Sequence, residues 1–290
     1  MSGLSPYLRL LRPHQWVKNG FVFVGLIFSR GWEQPALVAQ VVLAALAFSL
    51  AASCIYVFND LADRERDRQH PAKRHRPIAS GAVQAPQAVV LGALCLVAGL
   101  ALAWQVSWGV LAVVAIYLFI NGAYSLGLKH VAVLDVFIIA AGFMLRILAG
   151  TLGVGIAPSA WLLLCGLMLT LFLGFAKRRA ELDALAGKAG SHRKVLNDYD
   201  PAMLDQFITI SAGAAIVSYS LYTVAPETVA LHGSRYLIYT VPFVVYGIFR
   251  YLFLLHRRGG GGDPAAELLR DKHLLVAFLG WLVAVVGLLA

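Results

Sequence analysis

The chain has 290 residues, 60% of them hydrophobic and 13% charged, with a mean hydropathy of +0.75 and a formal net charge of +9. A soluble domain carries about 25% charged residues, so a water-soluble globule is excluded and lipid is the solvent this composition fits. No nucleic-acid partner is expected, because the excess of Lys and Arg is better read as membrane topology. Cys54, Cys95 and Cys165 all lie in apolar runs, spaced as neither a disulfide frame nor a metal site, and read as small apolar residues. The first apolar stretch follows Arg9, Arg12 and Lys18 but has no small-residue cleavage site, so it is expected to be a span and not a signal peptide.

Crossing about 30 Å of hydrocarbon takes roughly 17–25 apolar residues. Nine stretches qualify: 16–31, 36–58, 86–104, 108–127, 131–151, 159–176, 203–224, 235–255 and 272–289. The first is short and is expected to be tilted or partly interfacial. If the N-terminus is cytoplasmic, the cytoplasmic segments hold 20 of the 24 Lys and Arg: Arg9, Arg12, Lys18 and Lys129, with six in 59–85, six in 177–202 and four in 256–272. The far side holds Arg30 and Arg235, and Arg146 and Arg250 fall inside spans. The bias predicts an all-α membrane protein of nine transmembrane helices, N-terminus cytoplasmic and C-terminus outside. A single integral-membrane domain over 1–290 is expected, in a bacterial inner membrane with its lipids as partners. The oligomeric state is left open.

The two long cytoplasmic loops, 59–85 and 177–202, each follow an apolar stretch that ends abruptly in charge. Laid over one another, Asn59-Asp60-Leu61-Ala62-Asp63 falls on Lys177-Arg178-Arg179-Ala180-Glu181, an offset of 118 residues. The echo suggests two related helical halves, a symmetry that transporters also show. The four glycines at 259–262 read as a flexible hinge.

The most informative string is Asn59-Asp60-Leu61-Ala62-Asp63-Arg64-Glu65-Arg66-Asp67. On a continuous helix, Asp60, Asp63 and Asp67 share a face about 60° wide, and Glu65 points away. Clustered carboxylates repel unless a cation lies between them. Hard oxygen ligands suit magnesium, which commonly takes one or two carboxylates together with substrate phosphates. The competing reading is a solvated helix end with intrahelical pairs such as Asp60–Arg64. The stretch His70-Pro71-Ala72-Lys73-Arg74-His75-Arg76-Pro77 favours the metal, because Lys73, Arg74 and Arg76 put fixed cations beside the carboxylates. Acid plus base at one membrane face fits a magnesium–diphosphate complex, with Arg giving bidentate contacts to phosphate oxygens.

Other polar residues have two readings each. Arg146 lies about 22 Å along its span, where an ionisable side chain is a functional candidate or else part of a buried ion pair. Asp135, eleven residues earlier, shares its helix face to within about 20°. Glu181 follows Lys177 by one turn and either pairs with it or helps hold metal. Lys18 sits at a helix mouth, as a substrate contact or a lipid anchor. His192, Arg193, Lys194, Asp198 and Asp200 read as a solvated loop, and Arg257 and Arg258 as contacts to anionic lipid.

The string Asn59-Asp60-x-x-Asp63-x-x-x-Asp67 resembles the acidic motif at the end of the second helix in UbiA-type intramembrane prenyltransferases. Tyr124-Ser125-Leu126-Gly127-Leu128-Lys129 resembles that superfamily's Tyr…Lys loop after helix four, and nine helices are its usual count. The resemblance covers essentially the whole chain and implies a UbiA-like helical bundle. Ordinary members carry a second Asp-rich motif after helix six, but here that place reads Lys177-Arg178-Arg179-Ala180-Glu181-Leu182. One acidic and one basic site is the pattern of the branch that resembles decaprenyl-phosphate phosphoribosyltransferases. Arg12-Pro13-His14-Gln15-Trp16-Val17-Lys18-Asn19, Gly142-Phe143-Met144-Leu145-Arg146, Asp263-Pro264 and Leu269-Arg270-Asp271 resemble that branch too.

The resemblance implies transfer of 5-phosphoribose from phosphoribosyl diphosphate to a polyprenyl phosphate, with release of diphosphate. Asp60, Asp63 and Asp67 would then hold magnesium and the leaving group, and Lys177 and Arg178 a substrate phosphate. Lys18, Asn59, Lys73, Arg74, Arg76, Tyr124, Lys129, Asp135, Arg146 and Glu181 are the expected substrate-binding residues. Two rivals stand beside this reading. A prenyltransferase using a prenyl diphosphate and an aromatic acceptor needs a second acidic cluster, for which only Glu181 and Asp183 are at hand. A lipid-phosphate transporter or binder predicts charges near the bilayer midplane, whereas these gather at one face.

Overall fold

The structure is a computed structural model that describes residues 5–70, 73–185, 194–258, 260, 262 and 264–289. His192, Arg193 and Asp263, with Gly259 and Gly261 of the expected hinge, lie outside the described residues. Every regular element among the described residues is helical. After α1 (Pro6–Leu11), a 3-10 helix Pro13–Phe23 runs into α2 (Val24–Phe28). Then come α3 (Pro35–Ala62), α4 (Arg64–Gln69), α5 (Ala85–Val106), α6 (Trp108–Leu126), α7 (Leu134–Ala149), α8 (Ala160–Leu185) and α9 (Pro201–Val224). The last four are α10 (Pro226–His232), α11 (Val241–Arg258), α12 (Pro264–Arg270) and α13 (Lys272–Leu289). Proline opens α3, α5 and α9 in the first turn, where its missing N–H costs nothing.

Eight helical segments among the described residues are long and apolar enough to cross a membrane. They match the expected spans from 36–58 onward. The stretch expected at 16–31 departs from the pattern, because Pro13–Phe23 is wound as a 3-10 helix and only Val24–Phe28 is α-helical. A 3-10 helix rises about 2.0 Å per residue and an α-helix 1.5 Å, so Pro13–Phe28 still covers roughly 30 Å.

The chain forms two compact units. The first comprises the chain up to Leu26 with Trp32–Leu126 and Leu145–Ile156. Its centre is α3, which buries Ala44, Ala47, Phe48, Ala51 and Ala52. Helix α5 buries one stripe of small residues, Ala88, Gly92, Cys95, Gly99 and Ala103, at helical spacing. A Cβ on Gly99 would stand 3.2 Å from the Ala47 carbonyl oxygen. The two backbones therefore lie close, as small residues allow between membrane helices. The other faces of α5 expose Val89, Val90, Leu94, Val97 and Trp104, a surface suited to acyl chains and unfavourable in water. The end of α7 approaches the 3-10 helix more closely still: a Cβ on Gly150 would collide with the Val22 carbonyl.

The second unit comprises Ile27–Gly31, Gly127–Met144 and the chain from Ala157 onward. Helices α8 and α9 share a core with α11 that includes Phe172, Phe175, Leu204, Ile208 and Tyr251. The Phe172 and Tyr251 rings meet edge-on at 5.4 Å. Arg250, expected inside a span, forks onto Asp271 at 3.1 and 2.7 Å. Those bonds pull the Asp271 carboxyl down to about 2.

The contact at Gly150 makes a prediction. Gly150→Ala forces two backbones apart and is expected to cost about 1–3 kcal/mol, read as a lower thermal-unfolding midpoint in detergent. Gly122→Ala, in a helical position with open space around the added carbon, is expected to hold or raise it. An unchanged midpoint for Gly150→Ala would remove the close approach from the account.

Candidate active site

The acidic string sits at the end of α3, and the helix does not continue through it. Asp63 takes φ −94° and ψ 6° and ends α3, and α4 starts at Arg64. At this break Asp63 is set apart from the expected trio: it is half-buried, whereas Asp60 and Asp67 are buried, although the Asp67 N–H still bonds to the Asp63 carbonyl at 2.8 Å. Asp60 and Asp67 are brought together instead by Arg76, whose NH1 lies 3.0 Å from Asp60 Oδ1 and 2.7 Å from Asp67 Oδ2. Arg12 donates to the same Asp60 oxygen at 2.6 Å and lies over the Tyr56 ring at 5.1 Å. Asp60 is 2% exposed and Asp67 3%. Intrahelical pairs other than the expected Asp60–Arg64 form around them, Arg66 with Asp63 at 3.8 Å and Arg68 with Glu65 at 3.1 Å, while Asp60 is held by Arg12 and Arg76.

A small core explains why the loop reaches back. Ile78 and Val83 are buried with Leu10, Val57 and Ala88, which folds 76–83 over the end of α3. The turn closes through Ser80 N to Arg76 O and Val83 N to Pro77 O. Gly81, at φ 80°, reverses the chain in the left-handed region. Arg76 is thereby carried onto Asp60 and Asp67, while Lys73 and Arg74 stay exposed. Asn59 accepts the backbone N–H of Asp63 on its carbonyl at 2.9 Å.

The donor set fits magnesium with two carboxylates. Asp60 Oδ2 is buried and has no hydrogen-bond partner, and the place between Asp60 and Asp67 is one that a cation, here the Arg76 guanidinium, already fills. Two carboxylates completed by substrate oxygens is a common magnesium arrangement. Among the described residues no group of three or more His, Cys, Asp and Glu converges as a metal site, in keeping with the break at Asp63.

The basic string at the end of α8 is built the other way round. Arg178 is 0% exposed. Its Nε donates to Asp135 Oδ2 and its NH1 to Glu181 Oε2, each at 2.6 Å. Tyr199 O–H donates to the other Asp135 oxygen at 2.7 Å and accepts the Val133 N–H at 2.6 Å. Burial first, and then this donation to Asp135, push the Tyr199 hydroxyl above the ordinary phenol range, so it stays a donor. Arg179 pairs with Asp183 and, at 3.0 Å, with Asp205. Arg178, expected to hold a substrate phosphate, and Arg179 beside it are thus already paired with carboxylates. Glu181, expected either to pair with Lys177 or to help hold metal, pairs with Arg178. Lys177 itself is half-buried.

Arg146 and Asp135 share a helix but belong to different units. Arg146 Nε donates to Asn19 Oδ1 at 2.7 Å, and NH2 lies 3.3 Å from the Tyr117 hydroxyl. Its guanidinium stands over the Tyr117 and Phe48 rings at 4.8 and 5.3 Å. Asn19 Nδ2 continues to Ser49 Oγ at 2.8 Å. Lys18, Tyr124 and Lys129 are half-buried, on the 3-10 helix Pro13–Phe23, on the last turns of α6 and on the 3-10 turn Leu128–His130. The sequence does not single out Tyr117 and Tyr199, and names Arg12 and Asn19 only in a string of resemblance and, for Arg12, in the charge count.

Eight long apolar segments with charged clusters held at helix ends define a multi-pass helical membrane protein. The chain belongs to the UbiA prenyltransferase family, whose model matches residues 20–270, and it is a transferase of that superfamily. It is 35% identical over 290 residues to the decaprenyl-phosphate phosphoribosyltransferase of Mycolicibacterium smegmatis, covering 96% of this chain and 91% of the relative. The protein of that name from Mycobacterium tuberculosis is 34% identical, covering 96% and 92%. A UbiA homolog from Archaeoglobus fulgidus, solved with DMAPP and Mg2+ bound, shares the fold at a TM-score of 0.74 and 20% identity, covering 98% of this chain and 99% of that one.

Removing Arg178 leaves Asp135 charged and buried. Breaking such a pair costs about 3–5 kcal/mol, so Arg178→Ala is expected to lower the unfolding midpoint sharply. Arg68→Ala, on an exposed pair, is expected to cost under about 1 kcal/mol. Equal midpoints for the two variants in a thermal scan would contradict this.

Proposed function

We propose that the protein transfers 5-phosphoribose from phosphoribosyl diphosphate to a polyprenyl phosphate at the cytoplasmic membrane face, releasing diphosphate. The observation that carries this reading is the end-to-end likeness to two decaprenyl-phosphate phosphoribosyltransferases. The charges at the two helix ends support it, Asp60 and Asp67 at one and Lys177 with Arg178 at the other. The enzyme is read as one integral-membrane domain over 1–290 in a bacterial inner membrane. It has nine crossings, the 3-10 stretch counted as the first, and a cytoplasmic N-terminus.

An oxygen of the polyprenyl phosphate attacks the anomeric carbon of the ribose, and the bond from that carbon to the diphosphate oxygen breaks. A phosphate oxygen is already nucleophilic, so no general base is needed, and the residues act by position and charge. Asp60 and Asp67, with Asp63 beside them, would hold magnesium, which when bound would neutralise the charge growing on the leaving diphosphate. Arg76, Arg74, Lys73 and Lys18 bind phosphate oxygens, with Asn59 and Tyr124 completing the polar rim. Lys177 and Lys129 meet the remaining substrate phosphate. Arg178, Glu181 and Asp135 act behind Lys177 by fixing the end of α8. Arg146 orders the wall formed by Asn19 and Tyr117.

Prenyl transfer from a prenyl diphosphate is the second reading. It would draw on Asp135, Glu181, Asp183 and Asp205, carboxylates that here are already paired with Arg178 and Arg179. One assay separates the two. Purified protein is incubated with magnesium, polyprenyl phosphate and either phosphoribosyl diphosphate or a prenyl diphosphate with an aromatic acceptor, and lipids are read by mass spectrometry. A phosphoribosyl-lipid product is expected, and its absence beside a prenylated acceptor would reverse the order. Asp60→Asn is expected to abolish magnesium-dependent donor binding in calorimetry with the fold retained. Donor affinity that stays equal to wild type, with and without magnesium, would refute the acidic site.

A further inference from the structure

Val133 has φ 67°. A β-branched residue in the left-handed region is a true outlier, at a cost of order 1–3 kcal/mol. Something must hold it, and the contacts name the holder. The backbone N–H of Val133 is bonded to the Tyr199 hydroxyl at 2.6 Å, which itself donates to Asp135 at 2.7 Å. Asp135 binds the fully buried Arg178, and Arg178 binds Glu181. On the other side, Val133 closes a short segment that starts with the 3-10 turn Leu128–His130 carrying Lys129. Tyr199 is itself fixed, 5% exposed, beyond a 3-10 helix whose Val195 and Leu196 are buried in the same core. All of these residues lie in the second unit. One hydroxyl therefore ties the strained backbone of the Lys129 segment to the charged end of α8 that carries Lys177.

We propose that Tyr199 is a positioning residue: its hydroxyl locks the Lys129 segment and the Asp135–Arg178–Glu181 pairs into one arrangement, so that Lys129 and Lys177 meet the donor's phosphate together. This rests on the phosphoribosyl-transfer reading for its kinetic consequence and on geometry alone for its structural one. Tyr199→Phe keeps the ring and deletes the oxygen, leaving the Val133 N–H and one Asp135 oxygen without this partner. The strain at Val133 is then opposed only by the bonds that the Val136 and Phe137 N–H groups donate to its carbonyl and by those of its neighbours, and the segment loosens. Glycine takes φ 67° without penalty, so Val133→Gly lets the segment keep its shape without the lock.

Two measurements test this. Amide hydrogen exchange needs no turnover: the Val133 amide of the wild-type protein is expected to exchange slowly, and Tyr199→Phe to speed exchange across 128–135. Rapid wild-type exchange at Val133, or exchange unchanged by the substitution, overturns the lock whatever the enzyme does. Steady-state kinetics on wild type, Tyr199→Phe and Tyr199→Phe/Val133→Gly tests the role. The Michaelis constant for phosphoribosyl diphosphate is expected to rise about tenfold in Tyr199→Phe, the effect of one hydrogen bond to a charged group, with that for polyprenyl phosphate unchanged. The double variant is expected to recover most of the loss. An equal rise for both substrates, or no recovery, reduces Tyr199 to a structural residue. Wild-type protein that makes no phosphoribosyl product while exchange follows expectation would fault the functional reading and leave the lock standing.

Discussion

A charge taken out of water into an apolar protein is stable only if countercharge and hydrogen bonds replace its hydration. Each of the two charged helix ends is arranged around one such charge. Asp60 and Arg178 lie 118 residues apart, at matching places in the sequence echo. Asp60 is gripped by Arg12 and Arg76, and Arg178 by Asp135 and Glu181. One cluster is the charge-inverted counterpart of the other, a buried anion between cations against a buried cation between anions. Each recruits chain from elsewhere in its own unit. Arg76 comes from the folded-back loop after α4, and Asp135 from the start of α7. Away from these clusters and the Arg146 and Arg250 contacts, each unit is mostly hydrocarbon, packed where small residues allow helices to touch.

Arg76 bridges Asp60 and Asp67 as a cation would, and Asp60 keeps one buried oxygen with no hydrogen bond. On the proposed reading, Asp60 and Asp67 would hold the metal and Arg76 would turn to phosphate oxygens, so that each buried charge would keep a partner where desolvation makes an unpaired ion expensive. A rigid preformed cage of three carboxylates would lack this property, since without metal it would hold unbalanced negative charge beside hydrocarbon.

The sequence made the spans and the charged helix ends legible, because hydropathy and the abrupt onset of charge are local signals. It also pointed to Asp60, Asp67, Asp135, Arg146 and Arg178 as special. It misjudged what surrounds them. The helical-wheel argument for Asp63 assumed a continuous helix, and nothing in the string marks the break there. The span at 16–31 read as apolar helix, yet Asn19 is spent on Ser49 and Arg146, and Gly25 and Gly150 bring backbones together, neither of which hydropathy records. Partners across long separations, such as Arg76 with Asp60 or Tyr199 with Asp135, are invisible to periodicity. For Tyr199 a signal did exist. Val195, Leu196 and Tyr199 form an apolar stripe inside what read as a solvated loop, and Asp200 caps the helix that begins at Pro201.

The second helix end shows why counting charges along a string misleads. Lys177-Arg178-Arg179 looks strongly basic, but Asp135, Glu181, Asp183 and Asp205 are bound to its arginines. What sets this end apart from an acidic motif is the sign of the buried charge, since the surrounding charge is close to balanced. Asp135 cannot serve a metal without giving up Arg178, and Arg178 cannot leave without stranding two carboxylates. A carboxylate cage for a second magnesium is therefore blocked by an ion pair already made, and a substrate held here must be recognised by cations outside that pair. Burying an arginine where the acidic echo buries an aspartate thus makes the two helix ends chemically unlike while leaving the helices that carry them alike.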